Sequence, residues 1–404
     1  MKKGYKRSLF SLYLAYFADY LSWGVAIAFL AVYIDNESSP FKNLFWAPQI
    51  SLGCAFAAFP IGELIGSPIL GDLSEWVGRK KMLIWGFWGS IFSMLLSAYS
   101  LWAGNFALFL ITQLLVGFFS GKQGMAQIAI VEMQEGTKGQ KLAFFSVIGG
   151  LAWIIGPFMG GWLLEEPYIL YGGYIWPSLL AATIYLFSLL FTKWFYIDTY
   201  EPQNQRMGVM KFFHSVGDTF NVTWREKPVS IFFFNLIGWY LLIVSLSNFL
   251  ADHLPFFSGR VAIHSGYFSL VLTIVGILGT AWILHRYKEK SLLFWILLLS
   301  SSTLFLLYHS DRILELWTYL AIPAITEAWI YPAYQAILSG HMSEQNQGKL
   351  FSLVGATNGS CQLVASLILS GIPSMNCILV AALLFISSAA LLPALFKKRF
   401  ANVP

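Results

Sequence analysis

Residues 71–81 read Gly71-Asp72-Leu73-Ser74-Glu75-Trp76-Val77-Gly78-Arg79-Lys80-Lys81, a charged stretch between two long apolar segments at 47–70 and 82–101. Each apolar segment is long enough to cross about 30 Å of hydrocarbon as an α-helix, at about 1.5 Å per residue. The charged stretch therefore predicts a short loop between two membrane-spanning helices. Its basic residues place the loop on the cytoplasmic side, because short cytoplasmic loops carry an excess of lysine and arginine.

Similar apolar segments recur along the chain, which is 57% hydrophobic and only 11% charged. Soluble domains carry about 25% charged residues, so this composition argues against a water-soluble fold. We predict an all-α membrane protein with twelve transmembrane helices, near residues 9–34, 47–70, 82–101, 106–131, 142–164, 174–196, 229–251, 266–285, 292–308, 314–339, 350–371 and 377–396.

The longest polar stretch divides these segments into two sets of six. We expect an N-terminal six-helix bundle at residues 1–196, a cytoplasmic central loop at 197–228 and a C-terminal six-helix bundle at 229–404. With both termini cytoplasmic, the 25 basic residues all fall on the inner side except Lys42, Lys122, Arg260 and Arg312. This asymmetry predicts a multi-pass protein of the cell (inner) membrane.

The two halves also resemble each other at a single offset. Lys141-Leu-Ala-Phe-Phe-Ser precedes the fifth segment, and Lys349-Leu-Phe-Ser precedes the eleventh, 208 residues later. The same offset relates Gly71 to Gly279, and each of these glycines is followed by a basic cluster. Two matches at one offset favour a duplicated six-helix unit, which is common among membrane transporters.

Charged residues inside apolar segments are the first candidates for a functional site. An ionised side chain at the bilayer centre costs at least about 2.5–3.5 kcal/mol, so such residues usually face a water-filled cavity or a partner. By their depth along the segments, we place four of them near the midplane: Asp19, Glu63, Lys122 and Glu327. Three acids and one base favour a cation or a proton as ligand.

Two interpretations of these charges stay open. In the functional one, Lys122 pairs with Asp19 or Glu327 and is released when that acid takes up a proton. In the structural one, some of the charges form fixed ion pairs, and Glu63 supports the loop at 71–81. Aromatic side chains near the same depth are candidates for a substrate cavity: Tyr16, Tyr20, Trp23, Trp239, Tyr240, Trp329, Tyr331 and Tyr334. Asn235 and Asn248 are further polar candidates in the seventh segment.

The loop at 71–81 resembles the signature loop of the major facilitator superfamily, Gly-x-Leu-x-Asp-Arg-x-Gly-Arg-Lys. Glu75 takes the acidic place, Arg79 and Lys80 take the basic places, and Trp76 stands where the family usually has arginine. The resemblance implies the major facilitator fold, with two pseudo-symmetric six-helix bundles and a cytoplasmic latch between conformations. The latch residues would be Gly71, Asp72, Glu75, Gly78, Arg79 and Lys80.

The fifth segment carries a second family resemblance. It reads Gly149-Gly150-Leu-Ala-Trp-Ile-Ile-Gly156-Pro157-Phe-Met-Gly160-Gly161, in which glycines one turn apart form a flat face and the proline bends the helix. This stretch resembles the fifth-helix motif of drug:proton antiporters, which implies export. The fourth segment departs from the family, because Gln113 stands where an arginine is expected in Leu-x-Arg-x-x-x-Gly. Gln113 therefore joins the candidate cavity residues with the proton mechanism open.

These observations predict a secondary active transporter, not an enzyme. No nucleotide-binding loop, nucleophile motif or metal-ligand spacing is visible in the sequence. We expect proton-coupled efflux of a drug or metabolite, with the proton gradient in place of a cofactor. The alternatives are a proton-coupled importer of an osmolyte, amino acid or siderophore, and a membrane receptor or enzyme on the same fold. The expected partners are a small-molecule substrate, protons and the lipid bilayer, with no nucleic acid, and we expect a monomer.

Overall fold

The structure is a computed structural model that describes residues 2–35, 41, 47–133, 173–198, 227–253, 289–310 and 347–396, with short pieces within 148–163 and 312–330. All regular structure in these residues is helical. The helices are α1 (Lys2–Asp35), α2 (Pro48–Val77), α3 (Arg79–Trp102), α4 (Phe106–Ser120), α5 (Lys122–Glu132), α6 (Trp176–Phe195), α7 (Lys227–His253), α8 (Glu289–Tyr308), α9 (Gln347–Gly371) and α10 (Ser374–Phe396).

Five helices within the described residues are long and apolar enough to cross a membrane. They are Pro48–Gly71, Arg79–Trp102, Phe106–Gln127, Trp176–Phe195 and Met375–Leu392. The predicted segments at 142–164 and 266–285 lie largely or wholly outside the described residues, and the one at 314–339 is described only in part. The all-α prediction is confirmed, and the number of twelve spans stays a prediction.

The described helices belong to two compact units, one containing α1 to α6 and the other containing α7 to α10 and the helical pieces near Glu327. The predicted central loop at 197–228 lies mostly outside the described residues. The predicted domain boundaries therefore stay predictions.

Local sequence explains where several helices begin. α2 starts with Pro48, whose missing N–H costs nothing in the first helical turn. Asn105 caps α4, because its side-chain oxygen accepts a hydrogen bond from Leu108 N at 3.0 Å. Gly78 separates α2 from α3 with φ 103°, a backbone conformation that side chains other than glycine rarely adopt.

Contacts in the first unit define the direction of each helix. Gly86 of α3 lies against Lys122, and Gly89 of α3 lies against Phe119. Residue numbers therefore rise along α3 while they fall along the facing helix. α3 is therefore antiparallel to the continuous span formed by α4 and α5. Along the contact of α2 with the span of α4, residue numbers increase in the same direction, from Gly62 against Leu114 to Ser67 against Gly121. These two helices are therefore parallel, as two even-numbered crossings of a membrane must be.

Glycines allow α2 and α4 to pack backbone against backbone. A Cβ added at Gly62 would lie 2.8 Å from Phe118 N and would clash with Leu114 O, and one at Gly117 would clash with Phe59 O. Gly66 makes a similar close contact with Phe118. The spacing Gly62-x-x-x-Gly66 is a known device for close helix packing in membranes, where interfaces are rich in small residues.

The second unit repeats part of the packing of the first. In the first unit, α1 and α3 both pack against α6, and in the second unit α7 and α8 both pack against α10. Ser388 Oγ donates to Ile231 O at 3.3 Å, and Ser301 Oγ donates to Ala382 O at 2.9 Å, which join α10 to α7 and α8 respectively. By predicted span number, spans one, three and six correspond to spans seven, nine and twelve. The two units thus have equivalent partners, as a duplicated chain would.

One face of α3 is exposed and apolar, whereas its other face is buried. The exposed side chains are Trp85, Trp88, Phe92, Leu95, Tyr99 and Trp102. They recur every three or four residues and form a single stripe on the helix. Such a stripe suits contact with lipid, which solvates apolar side chains, and the tryptophan and tyrosine rings suit the ends of a span.

We predict that Gly117→Val prevents stable packing of α4 against α2. The added Cβ would meet backbone atoms of Phe59, which cannot move aside without shifting the helix. The loss should therefore exceed the about 1–3 kcal/mol that is typical of overpacking. The measurement is the yield of monodisperse protein in detergent and its midpoint of thermal unfolding.

The matched control for this change is Gly124→Val. No described atom lies within 4 Å of a Cβ added at Gly124, and this residue is exposed in the same span. The control should fold with a nearly unchanged midpoint. Equal behaviour of the two variants would contradict the role assigned to the glycine contact.

Candidate functional site

Lys122 is the centre of a buried polar cluster in the first unit. Its Nζ atom lies 2.6 Å from Asp19 Oδ1, 2.7 Å from Ser90 Oγ and 3.2 Å from the carbonyl oxygen of Phe119. An ammonium group has three N–H donors, and here each has an acceptor. Lys122 is 1% exposed and Asp19 is 6% exposed, so this is a fully buried ion pair.

Two aromatic rings complete the surroundings of the ammonium group. Lys122 Nζ lies 4.5 Å from the ring centre of Tyr185 and 5.4 Å from that of Phe87. Both distances are within the range of cation–π attraction, which is stronger away from water. Tyr185 also lies beside Asp19, so one side chain of α6 contacts both members of the ion pair.

Small residues of α3 make room for the lysine side chain. A Cβ added at Gly86 would lie 3.0 Å from Lys122 Cβ and 3.1 Å from its Cδ, so the stem of the lysine fills the space that glycine leaves. Ser90 follows one helical turn later and supplies a hydrogen-bond acceptor to the same lysine. The sequence motifs did not predict a role for Gly86, Phe87, Ser90 or Tyr185. The only available signal was the small and polar pair Gly86 and Ser90 in an apolar span.

Glu63 and two tyrosines lie at the edge of this cluster. Glu63 is half-buried on α2, within electrostatic reach of Asp19 and Tyr20. Tyr20 contacts Tyr16 at 4.6 Å between ring centres. The predicted residues Asp19, Glu63, Lys122, Tyr16 and Tyr20 are therefore close together in one unit. Trp23 lies further along α1, against Phe59 at 6.0 Å.

Gln113 is not part of this cluster. It is half-buried on α4, nine residues before Lys122, which corresponds to about 13 Å along a helix. No described contact joins Gln113 to the ion pair.

Glu327 is a buried acid of the second unit, with a different environment from that of Asp19. It is 4% exposed, and its Oε2 atom accepts a hydrogen bond from Asn235 Nδ2 of α7 at 3.2 Å. Asn235 is itself completely buried. Within the described residues, Glu327 Oε1 has no hydrogen-bond partner and no basic side chain pairs with Glu327. The seventh segment thus contributes Asn235, whereas the side chain of Asn248 lies outside the described residues.

The other predicted cavity aromatics are only partly described. Trp239 and Tyr240 are half-buried on α7, about one turn beyond Asn235. Trp329, Tyr331 and Tyr334 lie outside the described residues.

The predicted latch lies where three helices of the first unit end or begin. Arg79 is 3% exposed, and its Nη1 atom donates a hydrogen bond to Ser74 Oγ. Lys80 N donates to Asp198 Oδ2 at 2.8 Å, and Lys80 Nζ donates to Tyr196 O. A carboxylate from the end of α6 therefore caps the positive end of α3, where negative charge is stabilising.

The remaining latch residues are described less completely. The side chains of Asp72 and Glu75 lie outside the described residues, so the predicted pair of Glu75 with Arg79 stays a prediction. No described atom lies within 4 Å of a Cβ added at Gly71. Close approach of a neighbouring helix to Gly71 is thus not seen in the described part of the chain.

The glycines of the fifth segment contact α1. A Cβ added at Gly149 would lie 3.3 Å from the ring of Tyr16, and one at Gly156 would lie 2.9 Å from Gly24 Cα and from Leu21 O. Residue numbers increase in the same direction along both segments, so the fifth segment runs parallel to α1. Gly160 is buried, and Pro157 and Gly161 lie outside the described residues.

We predict strong coupling between Asp19 and Lys122 in stability. Either Asp19→Asn or Lys122→Met alone leaves one buried charge without its partner, which costs about 3–5 kcal/mol. The double variant removes both charges and should lose much less than the sum of the single changes. The measurement is a double-mutant cycle on the midpoint of thermal unfolding in detergent, and additive losses would contradict a direct ion pair.

Known proteins resemble part of this chain in sequence. The multidrug transporter mfsB of Aspergillus fumigatus is 25% identical over 198 residues, which are 45% of this chain and 32% of that protein. The quinolone resistance protein NorA of Staphylococcus aureus is 25% identical over 162 residues, which are 39% of each chain. These matches thus span only about a third of the length of the curated relatives.

Solved structures resemble the whole chain. The human organic anion transporter MFSD10 has a TM-score of 0.72 and 17% identity, covering 96% of this chain and 99% of its own. A D-xylose-proton symporter has a TM-score of 0.74 and 14% identity, covering 99% and 97%. At these identities the likeness shows the fold alone. It agrees with the prediction of an all-α membrane protein of the major facilitator fold.

The family itself follows from the sequence profile of the Major Facilitator Superfamily, which matches residues 12–229. This range is more than half of the chain, and it contains the predicted latch, the fifth-segment glycines and the Asp19–Lys122 ion pair. The chain is a multi-pass, all-α membrane protein that belongs to the major facilitator superfamily.

Proposed function

We propose that the chain is a secondary transporter that exports a small organic solute in exchange for protons, by alternating access. In this proposal Glu327 takes up and releases the proton. The protein works as a monomer in the cell (inner) membrane, with both termini in the cytoplasm and with the proton gradient as its energy source. It is a transporter and not an enzyme.

The environment of Glu327 is the observation that supports proton coupling most directly. Its carboxyl group is buried and contacts the neutral amide of Asn235, and no described base neutralises it. A charged group without a partner is costly in a low-dielectric interior, so such an acid is stabilised when it binds a proton. A conformational change that exposes the same group to water removes this cost and allows the proton to leave.

The contrast with Asp19 favours Glu327 as the proton carrier. Lys122 neutralises Asp19 at 2.6 Å, so Asp19 needs no proton to be stable in the interior. Glu63, at the edge of that cluster, is a second candidate for protonation because Asp19 lies within electrostatic reach. An acid can couple transport to a proton gradient only if its neutral and ionised states have similar free energies. A buried acid without a base meets this requirement more easily than Asp19, because the positive charge of Lys122 stabilises the ionised state of Asp19.

Export and an organic solute are supported by three features. The relatives in sequence include a multidrug transporter and a quinolone resistance protein. In addition, Gly149 and Gly156 pack closely on α1, which suits the fifth-helix motif of drug:proton antiporters. The aromatic rings of Tyr16 and Tyr20 beside the charged cluster suit a flat or apolar solute.

We predict that Glu327→Gln reduces proton-driven flux at least about tenfold while the protein still inserts. Glutamine keeps the size and the hydrogen bond to Asn235 but cannot exchange a proton. Solute exchange without a gradient should persist, because binding and the conformational change do not need that proton. Wild-type proton-driven flux in Glu327→Gln would exclude Glu327 as the proton carrier.

The matched control is Glu315→Gln. Glu315 is only half-buried and lies 3.9 Å from exposed Arg312, an ion pair that contributes little to stability. This variant should keep wild-type flux. Equal loss of flux in both variants would indicate a general effect of losing an acid in this region.

The direction of transport is tested with inverted membrane vesicles and a panel of labelled solutes. We expect a solute to accumulate in vesicles with an acidic lumen, and a protonophore to abolish the accumulation. Accumulation only in right-side-out vesicles with an acidic exterior would instead indicate a proton-coupled importer. Binding without flux in either orientation would indicate a receptor.

A further inference from the structure

Lys122 lies at the junction of α4 and α5, inside one continuous span. α4 ends at Ser120 and α5 begins at Lys122, and Gly121 between them keeps α-helical backbone angles, φ −53° and ψ −20°. The carbonyl oxygen of Phe119, three residues before the lysine, accepts a hydrogen bond from Lys122 Nζ at 3.2 Å. A backbone carbonyl oxygen carries partial negative charge, which attracts a cation.

The other groups around the Lys122 ammonium are also cation ligands. Asp19 Oδ1 supplies a carboxylate oxygen, and Ser90 Oγ supplies a hydroxyl oxygen. Together with Phe119 O, three oxygen atoms from three helices converge on one point. Carboxylate, hydroxyl and carbonyl oxygens are the ligands that hard cations prefer in proteins. The ring of Tyr185, at 4.5 Å, adds a further surface that attracts a positive charge.

We propose that this cluster of three oxygen atoms is a monovalent-cation site whose built-in occupant is the ammonium group of Lys122. The chain carries its own tethered cation at a place where a free cation such as Na⁺ would otherwise bind. The first unit therefore keeps its positive charge without any ion from solution. The site is distinct from Glu327 and would serve equally in an exporter or an importer.

The way in which Lys122 is held supports a tethered cation over a mobile side chain. Every N–H of its ammonium group has an acceptor, and the stem of the side chain fills the space beside Gly86. Removing the side chain beyond Cβ leaves the three oxygen ligands in place and opens a space of about the size of a short alkylammonium ion. The vacated site should then accept a small cation from solution.

The test uses the full-length Lys122→Ala variant purified in detergent. Its midpoint of thermal unfolding is measured in choline, sodium and ethylammonium chloride at equal ionic strength. We expect sodium and ethylammonium to raise the midpoint by at least about 3 °C over choline, with saturation, because a ligand that binds only the folded state stabilises it. Wild-type protein should show no such difference, because its site is already filled.

The matched control is Asp19→Asn with Lys122→Ala, which lacks the carboxylate ligand. This double variant should lose the response to both cations. A midpoint of Lys122→Ala that is the same in all three salts would overturn the proposal, and so would an equal response in the double variant. A response to ethylammonium without a response to sodium would overturn the assignment as a general monovalent-cation site.

The proposal stays testable if Lys122→Ala folds poorly. Folding only in sodium or ethylammonium, scored by the yield of monodisperse protein, would support the site. The proposal would be overturned if Lys122→Ala aggregates in all three salts while the double variant Asp19→Asn with Lys122→Met folds. In that case Asp19 without its lysine accepts no cation from solution. These measurements report folding and not transport, so their outcome is independent of the proposed function.

Discussion

The burial of the Lys122 ammonium group is the constraint on which the first unit depends. A positive charge inside a membrane protein must be surrounded by acceptors, and these come here from Asp19 on α1, Ser90 on α3 and the carbonyl of Phe119 on α4. The ring of Tyr185 adds α6 to the same centre. Four of the helices of this unit are therefore held around one group. Their relative depth and rotation follow from its geometry.

The buried acids of the two units have different partners, which suggests different roles for them. Asp19 is neutralised by a lysine, whereas Glu327 has only the amide of Asn235 as its described partner. A neutralised pair keeps one charge state through a conformational change. An acid without a base changes its charge state more readily when its exposure to water changes, since desolvation is then not offset.

Close packing of glycines provides the second framework of the first unit. Lipid offers no hydrophobic force between helices, so α2 and α4 are held by direct contact of their backbones at Gly62, Gly66 and Gly117. Gly156 serves the same purpose between the fifth segment and α1.

The sequence alone determined the membrane class, the apolar segments and three of the buried charges, Asp19, Lys122 and Glu327. These features depend on composition and on the length of the apolar segments, which can be read from an unfolded chain. The described ends of α3 and α6 lie within three residues of the predicted ends. The sequence could not determine which acid pairs with Lys122, because Asp19 and Glu327 are both far from it along the chain. Nor did it single out Gly86, Ser90 or Tyr185, whose residue types are ordinary in a membrane helix. Only the tertiary structure decided these partners, because a buried ammonium group selects acceptors by distance and direction, and helix packing alone sets both.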